Sequence, residues 1–562
     1  MKIVIKYIFL TYSFFATINA QENPYFAKNG MVVSASQLAS QVGVDIMKFG
    51  GNAIDAAVAT GFALAVTYPQ AGNIGGGGFL VAHLHDGRNI TIDFRETAPS
   101  TAHRNMYLDK NGDVIKDMSL YTYRAVSVPG SVAGLITAWR YYGSRNISLK
   151  QLLEPAIALA KNGFSISNGF AQKLNNYKSL FEKDNGANEV FIHDDGNPWQ
   201  AGNLLIQKDL AKTLKRITKY DTGGFYKGKT AKLIVDEMNK GDGLITLKDL
   251  ETYTPKLRAP LNGTYQNYEI VSMGPPSSGG ILLVQMLNML ENYDFDSLEF
   301  NSADYIHLLT EVERRAYADR AEHLGDSDYW DIPIEMLTSR NYAAERTLNI
   351  SIDKATPSTD IFAGDQTAYE SPETTHYSVI DKDGNAVSVT TTLNRTFGSG
   401  KLVNGAGFFL NNEMDDFSSK PGSPNSFGLV GNKANAISPY KRPLSSMTPT
   451  IVLKDNKPFI IIGSPGGSTI ITTVLQVILN VVENNMNILE AISAPRTHSQ
   501  WLPDVIMAEP EAISDFVQNE LESRGHKIIP RDYIGSANGI LIKGNGYYGG
   551  PDPRYENAAD GY

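Results

Sequence analysis

Not one of the 562 residues is cysteine. That absence removes disulfides, thiolate metal centres, a lipidated cysteine anchor and a cysteine nucleophile in one step. A chain of this length must hold itself together through its core, and a hydrophobic content of 42% is enough to fill one. Length alone suggests about three or four domains. The formal charge of −10 is spread evenly, without a run of lysine or arginine that could follow a phosphate backbone, so no nucleic-acid partner is expected.

Met1 to Ala20 reads as a secretory signal peptide, with charge from Lys2 and Lys6, an apolar stretch from Tyr7 to Ile18, and a small-residue exit at Asn19-Ala20. The apolar stretch is shorter than the roughly 20 residues a membrane span requires. No later segment is long and apolar enough to span, so a periplasmic or secreted protein without a membrane anchor is expected.

From Ala125 to about Ile350 apolar residues recur mostly at helical spacing, as in Ser131 to Tyr142, Leu149 to Lys161 and Ser302 to His323. Ahead of them, two helices up to Val66 precede a Gly-rich bend at 72–78 and two strands, Phe79 to His85 and Asn89 to Phe94. After Thr374 the period becomes two: Tyr377 to Ile380, a turn at 381–385, and Ala386 to Thr390 spell strand, turn, strand. Residues 349–373 are polar and aperiodic, as expected of a flexible lead into a cut site, and 418–443 reads as a long mobile loop.

Thr374 therefore stands at the mouth of a sheet. A threonine hydroxyl is a weak nucleophile unless a base lies beside it, and cutting the chain before Thr374 would supply its own α-amine as that base. On its own, a Thr-Thr pair before a strand is ordinary β-propensity. Its company is less ordinary: Asn394, the acidic cluster 411–416, Ser445-Ser446 and the Gly463 to Ser468 segment all follow within a short span.

These motifs, with Asp93 to Pro99, Gly274 to Gly280, Pro443 to Met447 and Asp552-Pro553-Arg554, resemble in order those of the γ-glutamyltransferase family over nearly the whole chain. The resemblance implies an α+β fold of the N-terminal-nucleophile hydrolase kind, an αββα sandwich of two stacked, mainly antiparallel sheets between helical layers. It implies a precursor that cuts itself between Glu373 and Thr374, giving a large subunit, 21–373, and a small one, 374–562, that share one body. By the same resemblance Thr374 attacks a γ-glutamyl carbonyl, Thr392 supports its hydroxyl, and the N–H groups of Gly466 and Gly467 hold the oxyanion. Arg95, Ser445 and Ser446 would bind the donor's α-carboxylate, and Asn394, Glu413 and Asp416 its α-ammonium. The implied partners are a small-molecule γ-glutamyl donor, glutathione by default, and water, an amino acid or a peptide as acceptor; no cofactor is implied. Relatives with a lid over the glutamate pocket often carry a tyrosine at its tip, where this chain has Phe427.

Other signals are weaker. His83 and His85 share a strand face but lack a third ligand, so no metal site is expected. The turn at 381–385 differs from a calcium loop in the position of its glycine, and Gly398 to Lys401 does not satisfy the phosphate-loop pattern. His376 is assigned a structural role, since a free α-amine makes a histidine base redundant. A β-lactam or glutaryl acylase on the same scaffold would have no use for an ammonium site, and an inactive binding homologue would have lost Thr374 or the glycines.

Overall fold

The protein is described by a computed structural model covering residues 23–193, 195–361, 374–420, 422–426 and 428–562. The signal segment 1–20, Glu373 and Phe427 lie outside the described residues. Two seven-stranded sheets form its centre. One runs in the order Ala558–Gly561, Gly30–Ser34, Thr375–Asp381, Ala386–Thr392, Gly77–His83, Asn89–Asp93 and Lys256–Arg258, antiparallel throughout. The other runs Tyr25–Ala27, Gly546–Pro551, Asn538–Lys543, Lys457–Ile462, Thr450–Lys454, Tyr268–Ser272 and Leu261–Tyr265, also antiparallel.

Alternation along the strands builds the layers. In Thr375–Asp381, Tyr377 and Val379 pack into the core shared with helices Gln37–Lys48, Ala53–Thr67, Ser131–Tyr142 and Leu149–Asn162. Ile380 turns the other way and joins Met31, Phe79, Val271, Ile451 and Ile461 between the sheets. Helices Gly279–Leu290, Ala303–His323 and Ile470–Val482 cover the far face of the second sheet. The order of layers is α, β, β, α, as the resemblance implied. Helix Ala53–Thr67 is buried along its whole length, which explains its continuous apolar sequence, and a capping box between Asn52 and Asp55 fixes where it starts.

Toward Thr374 the space between the sheets turns polar. Ser388 Oγ donates to Ile462 O at 3.0 Å and accepts from Thr450 N at 3.0 Å; Ser378 Oγ donates to Asn538 O at 3.0 Å. His376 lies in this seam with its ring nitrogens against Thr390 Oγ1 (2.9 Å) and Ser378 Oγ (3.1 Å), and burial pushes its pKa down to about 3. A buried neutral ring tied between two strands agrees with the structural role expected of it.

The structure corrects two expectations. The mostly helical stretch 125–350 also contributes three strands between Lys256 and Ser272, of which Lys256–Arg258 forms the edge of one sheet and Leu261–Tyr265 that of the other. Length suggested several domains, whereas strands from before and after position 373 join in both sheets of one layered body. Described residues of the loop 418–443 tie it to itself: Ser418 bridges Ala436, Pro424 bridges Val430, and the Lys441 ammonium donates to Ala434 O and Ala436 O. Among the described residues no helix is long and apolar enough to cross a membrane.

Candidate active site

Thr374 immediately precedes its strand and is 5% exposed. Its Oγ1 donates to Thr392 Oγ1 at 3.4 Å, and Thr392 Oγ1 also accepts from Asn394 N at 2.7 Å. The end of the neighbouring strand is held from outside: Asn73 Nδ2 donates to Thr392 O at 2.9 Å, while its Oδ1 accepts from Gly76 N at 2.9 Å. A Cβ on Gly76 would lie 2.0 Å from Thr392 O, so the Gly-rich bend can approach this strand only as glycine.

Thr374, Thr392, Asn394, Glu413, Asp416, Ser445, Ser446, Gly467 and Arg95 line one cavity, together with Arg320, Leu429 and Ile470. Gly466 is the chain neighbour of Gly467, and the two lead into a 3-10 turn and then helix Ile470–Val482, whose N-terminus therefore faces the cavity. Gly466 has φ of +138°, and a Cβ there would meet Thr469 Oγ1 at 2.4 Å.

Arg95 is buried, and its side chain faces three acids. It bonds Asp416 through one terminal nitrogen, while the other lies 3.0 Å from Glu413 Oε2 and 3.4 Å from Glu96 Oε2. Burial opposes the Arg95 charge, but Glu413, Glu96 and Asp416 together hold its pKa above the ordinary arginine value. Burial likewise pushes Glu96 up to about 7 and Glu413 well above the usual carboxylate range, against the pull of Arg95. Asp93, two positions before Arg95, pairs instead with Arg258 and Arg442 and keeps only the Arg95 backbone N–H.

The acidic cluster is built by its asparagines. Asn411 Nδ2 donates to Gly75 O and Ser127 O, and its Oδ1 accepts from Glu413 N, which starts the 3-10 turn Glu413–Asp416. Asn394 Nδ2 donates to Asn412 O at 3.0 Å, which leaves the buried Asn394 Oδ1 without a protein partner; Glu413 Oε1 is also without one. The loop 418–443 reaches this cluster directly, since Asn425 Nδ2 donates to Asp416 Oδ1 at 3.3 Å and Ser426 N to Asp415 Oδ2 at 3.1 Å. Cationic and acceptor groups thus stand side by side within one pocket, complementary to a zwitterion.

Gly274 to Gly280 explains how the serine pair is placed. Ser445 N donates to Pro276 O at 2.9 Å, Ser278 N to Ser445 O at 2.8 Å, and Ser277 Oγ to Met447 O at 2.7 Å. Sequence reasoning missed Arg320, which approaches the same pair from helix Ala303–His323. A single arginine in a long helix carries no motif, and only its packing against Gly274 to Gly280 gives it away.

His83 and His85 hydrogen-bond Asn89 and Asn385, respectively. Among the described residues, the histidine-acid group compact enough for a metal is His307, Glu311 and His526, none of which lines this cavity. His307 Nδ1 and His526 Nε2 bond each other, and Glu311 accepts from Arg315 and Thr356 N, so these groups already serve one another.

Comparison with known proteins agrees with this geometry. A family model described as Gamma-glutamyltranspeptidase matches residues 39–562. The chain is 48% identical over 533 residues to the glutathione hydrolase proenzyme of Escherichia coli (strain K12), covering 95% of this chain and 91% of that protein. A crystal structure of Helicobacter pylori gamma-glutamyltranspeptidase matches with 46% identity and a TM-score of 0.57, covering 58% of this chain and 94% of that one. The cephalosporin acylase from Bacillus halodurans superimposes with a TM-score of 0.86 at 25% identity, covering 99% of each chain. With the family model running through every segment of the cavity, the chain belongs to the gamma-glutamyltranspeptidase family.

Proposed function

We propose that Thr374 is the nucleophile of an autoprocessing γ-glutamyltransferase and γ-glutamyl hydrolase, freed by cleavage between Glu373 and Thr374. The observation that carries this reading is the pairing, in one cavity with Thr374, of the buried Arg95 with Asp416 and the unpartnered acceptors of Asn394 and Glu413. A glutamate α-carboxylate would engage Arg95, Ser445 and Ser446, and its α-ammonium would engage Asp416, Glu413 and Asn394. An acylase for a chain without an amine would gain nothing from those acceptors.

With glutamate held so, Thr374 Oγ attacks the γ-carbonyl carbon and its hydroxyl proton passes to the Thr374 α-amine. The N–H groups of Gly466 and Gly467 stabilise the oxyanion, helped by the positive end of helix Ile470–Val482. The intermediate collapses as the γ C–N bond breaks; the leaving amine takes the proton from the α-amine, and a γ-glutamyl ester remains on Thr374. Water then releases glutamate, whereas the amine of an amino acid or peptide takes the γ-glutamyl group onward. Thr392, which accepts from both Thr374 Oγ1 and Asn394 N, holds the Thr374 oxygen in place until the freed α-amine takes over the hydroxyl proton.

Glutathione is the proposed donor, because the relatives matched over most of the chain are called glutathione hydrolase proenzymes. The proposed pieces are 21–373 and 374–562, the proposed location is the periplasm or the exterior, and Phe427 at the lid would leave closure without a phenol hydrogen bond. The test is intact mass of the purified protein beside Thr374→Ala, with release of the chromophore from a γ-glutamyl anilide followed on both. Wild type should give active pieces of roughly 39 and 21 kDa, at about 110 Da per residue, and Thr374→Ala one inactive chain. A variant that still cleaves and turns over would refute the assignment.

A further inference from the structure

Arg320 is 5% exposed and lines both the cavity described above and a second one that Asp415, Ser418 and Asn425 also line. Its Nε donates to Ser278 Oγ at 3.0 Å and a terminal nitrogen donates to Ser446 Oγ at 3.3 Å. Ser278 passes the grip on, since its Oγ donates to Ser445 O at 2.8 Å. One guanidinium therefore fastens both members of the serine pair, Ser445 through its backbone and Ser446 through its hydroxyl. Because Arg320 occupies Ser446 Oγ as an acceptor, the hydroxyl proton of Ser446 is left to donate, and among the described residues it has no protein acceptor.

The charge balance points the same way. Arg95 is neutralised by Asp416, Glu413 and Glu96, whereas among the described residues no carboxylate lies within ion-pair distance of Arg320. A buried cation without a counter-ion is costly to hold. Burial pulls the Arg320 pKa down to about 10, with Tyr317 and Asp416 opposing from a distance, so the group remains charged at neutral pH. A cation kept in this way beside a substrate cavity fits an anion that arrives with the substrate.

We propose that Arg320 is a positioning residue that makes the pocket selective for donors with a free α-carboxylate, by turning the Ser446 hydroxyl toward that carboxylate and adding its positive charge to that of Arg95, which is shared among three acids. The inference rests on the γ-glutamyl reading and deepens it, adding a residue that reaches the serine pair from the large-subunit side.

The experiment compares wild type, Arg320→Gln and Arg320→Lys on two donors, a γ-glutamyl anilide and the same anilide with its α-carboxylate converted to the carboxamide. In Arg320→Gln, kcat/KM for the free acid should fall roughly 10- to 100-fold, the range for losing a hydrogen bond to a charged group. The fall should lie mainly in KM, with little change for the carboxamide, so that the preference between the donors collapses. Arg320→Lys keeps the charge but cannot hold both serines, and its preference should fall between the two. Equal losses on both donors, or an unchanged preference in either variant, would overturn the proposal. If Arg320→Gln does not yield folded protein, the preference ratio of Arg320→Lys decides alone. Absence of turnover by wild type would instead sink the γ-glutamyl reading before any variant is compared.

Discussion

At the scale of single residues, the site is divided between groups that a motif announces and groups that only packing reveals. Thr374, Arg95, Asp416 and the two glycines could be singled out from the sequence because each belongs to a short run that resembles a family motif. What the sequence could not give was the state of Arg95. Glu96 is its chain neighbour, but Glu413 and Asp416 are more than 300 positions away, and only the fold brings three acids to one guanidinium. Arg320 was illegible for a related reason, since its partners Ser278 and Ser446 lie on separate segments. Gly466 offers a test of the oxyanion assignment. At φ of +138° an L side chain is strained, and a Cβ would press on Thr469 Oγ1 at 2.4 Å and Gly535 Cα at 3.2 Å. Gly466→Ala must shift its peptide to relieve these contacts, and on the oxyanion assignment the proposed N–H donor moves with it. The expected result is a kcat lower by roughly 10²- to 10³-fold, the cost of one lost oxyanion donor, with KM near wild type in steady-state kinetics. An unchanged kcat would remove Gly466 from the oxyanion site.

At the scale of elements, helices were easier to read than strands. Ser131–Tyr142 agrees with its expected range end to end, because an apolar stripe over three turns and the glycines at both ends are local information. The strands Leu261–Tyr265 and Tyr268–Ser272 were hidden among helices because they are short, and because Tyr268–Ser272 also pairs with Thr450–Lys454, about 180 positions later. The hairpin 375–392 was visible, but nothing in its period-two pattern marks Ser378 and Ser388 as more than ordinary strand polarity. They are instead the cross-ties between the sheets. Ser388→Ala removes a donor to Ile462 O and strands the buried N–H of Thr450. The cost should be about 1–3 kcal/mol, the penalty for an unsatisfied buried donor, read as a lower denaturation midpoint with turnover per folded molecule unchanged. A midpoint equal to wild type would mean that the seam contributes no net stability.

At the scale of the whole molecule, the proposed cut at Thr374 would free an end without freeing a domain. Both sheets take strands from each side of position 373, and Thr375–Asp381 lies between Gly30–Ser34 and Ala386–Thr392. The polar seam is where this shared body responds to acid. His376 titrates near 6.5 when unfolded, whereas burial lowers it to about 3 in the fold. Its contribution is therefore complete above about pH 6.5 and is lost as pH falls toward about 3, because the unfolded chain then binds a proton that the native ring refuses. Buried acids such as Glu96, raised to about 7, act in the opposite sense, stabilising below their unfolded pKa and losing that contribution as pH rises. The pH profile of wild type alone therefore mixes opposing slopes, and the informative quantity is its difference from His376→Gln, in which the acids cancel. Melting temperatures measured for both proteins from pH 7.5 to pH 4 should show wild type ahead by the largest margin above pH 6.5, with the margin shrinking steadily on acidification. A margin that stays constant across that range would mean that the ring is not held neutral between the sheets, and the seam would need another explanation.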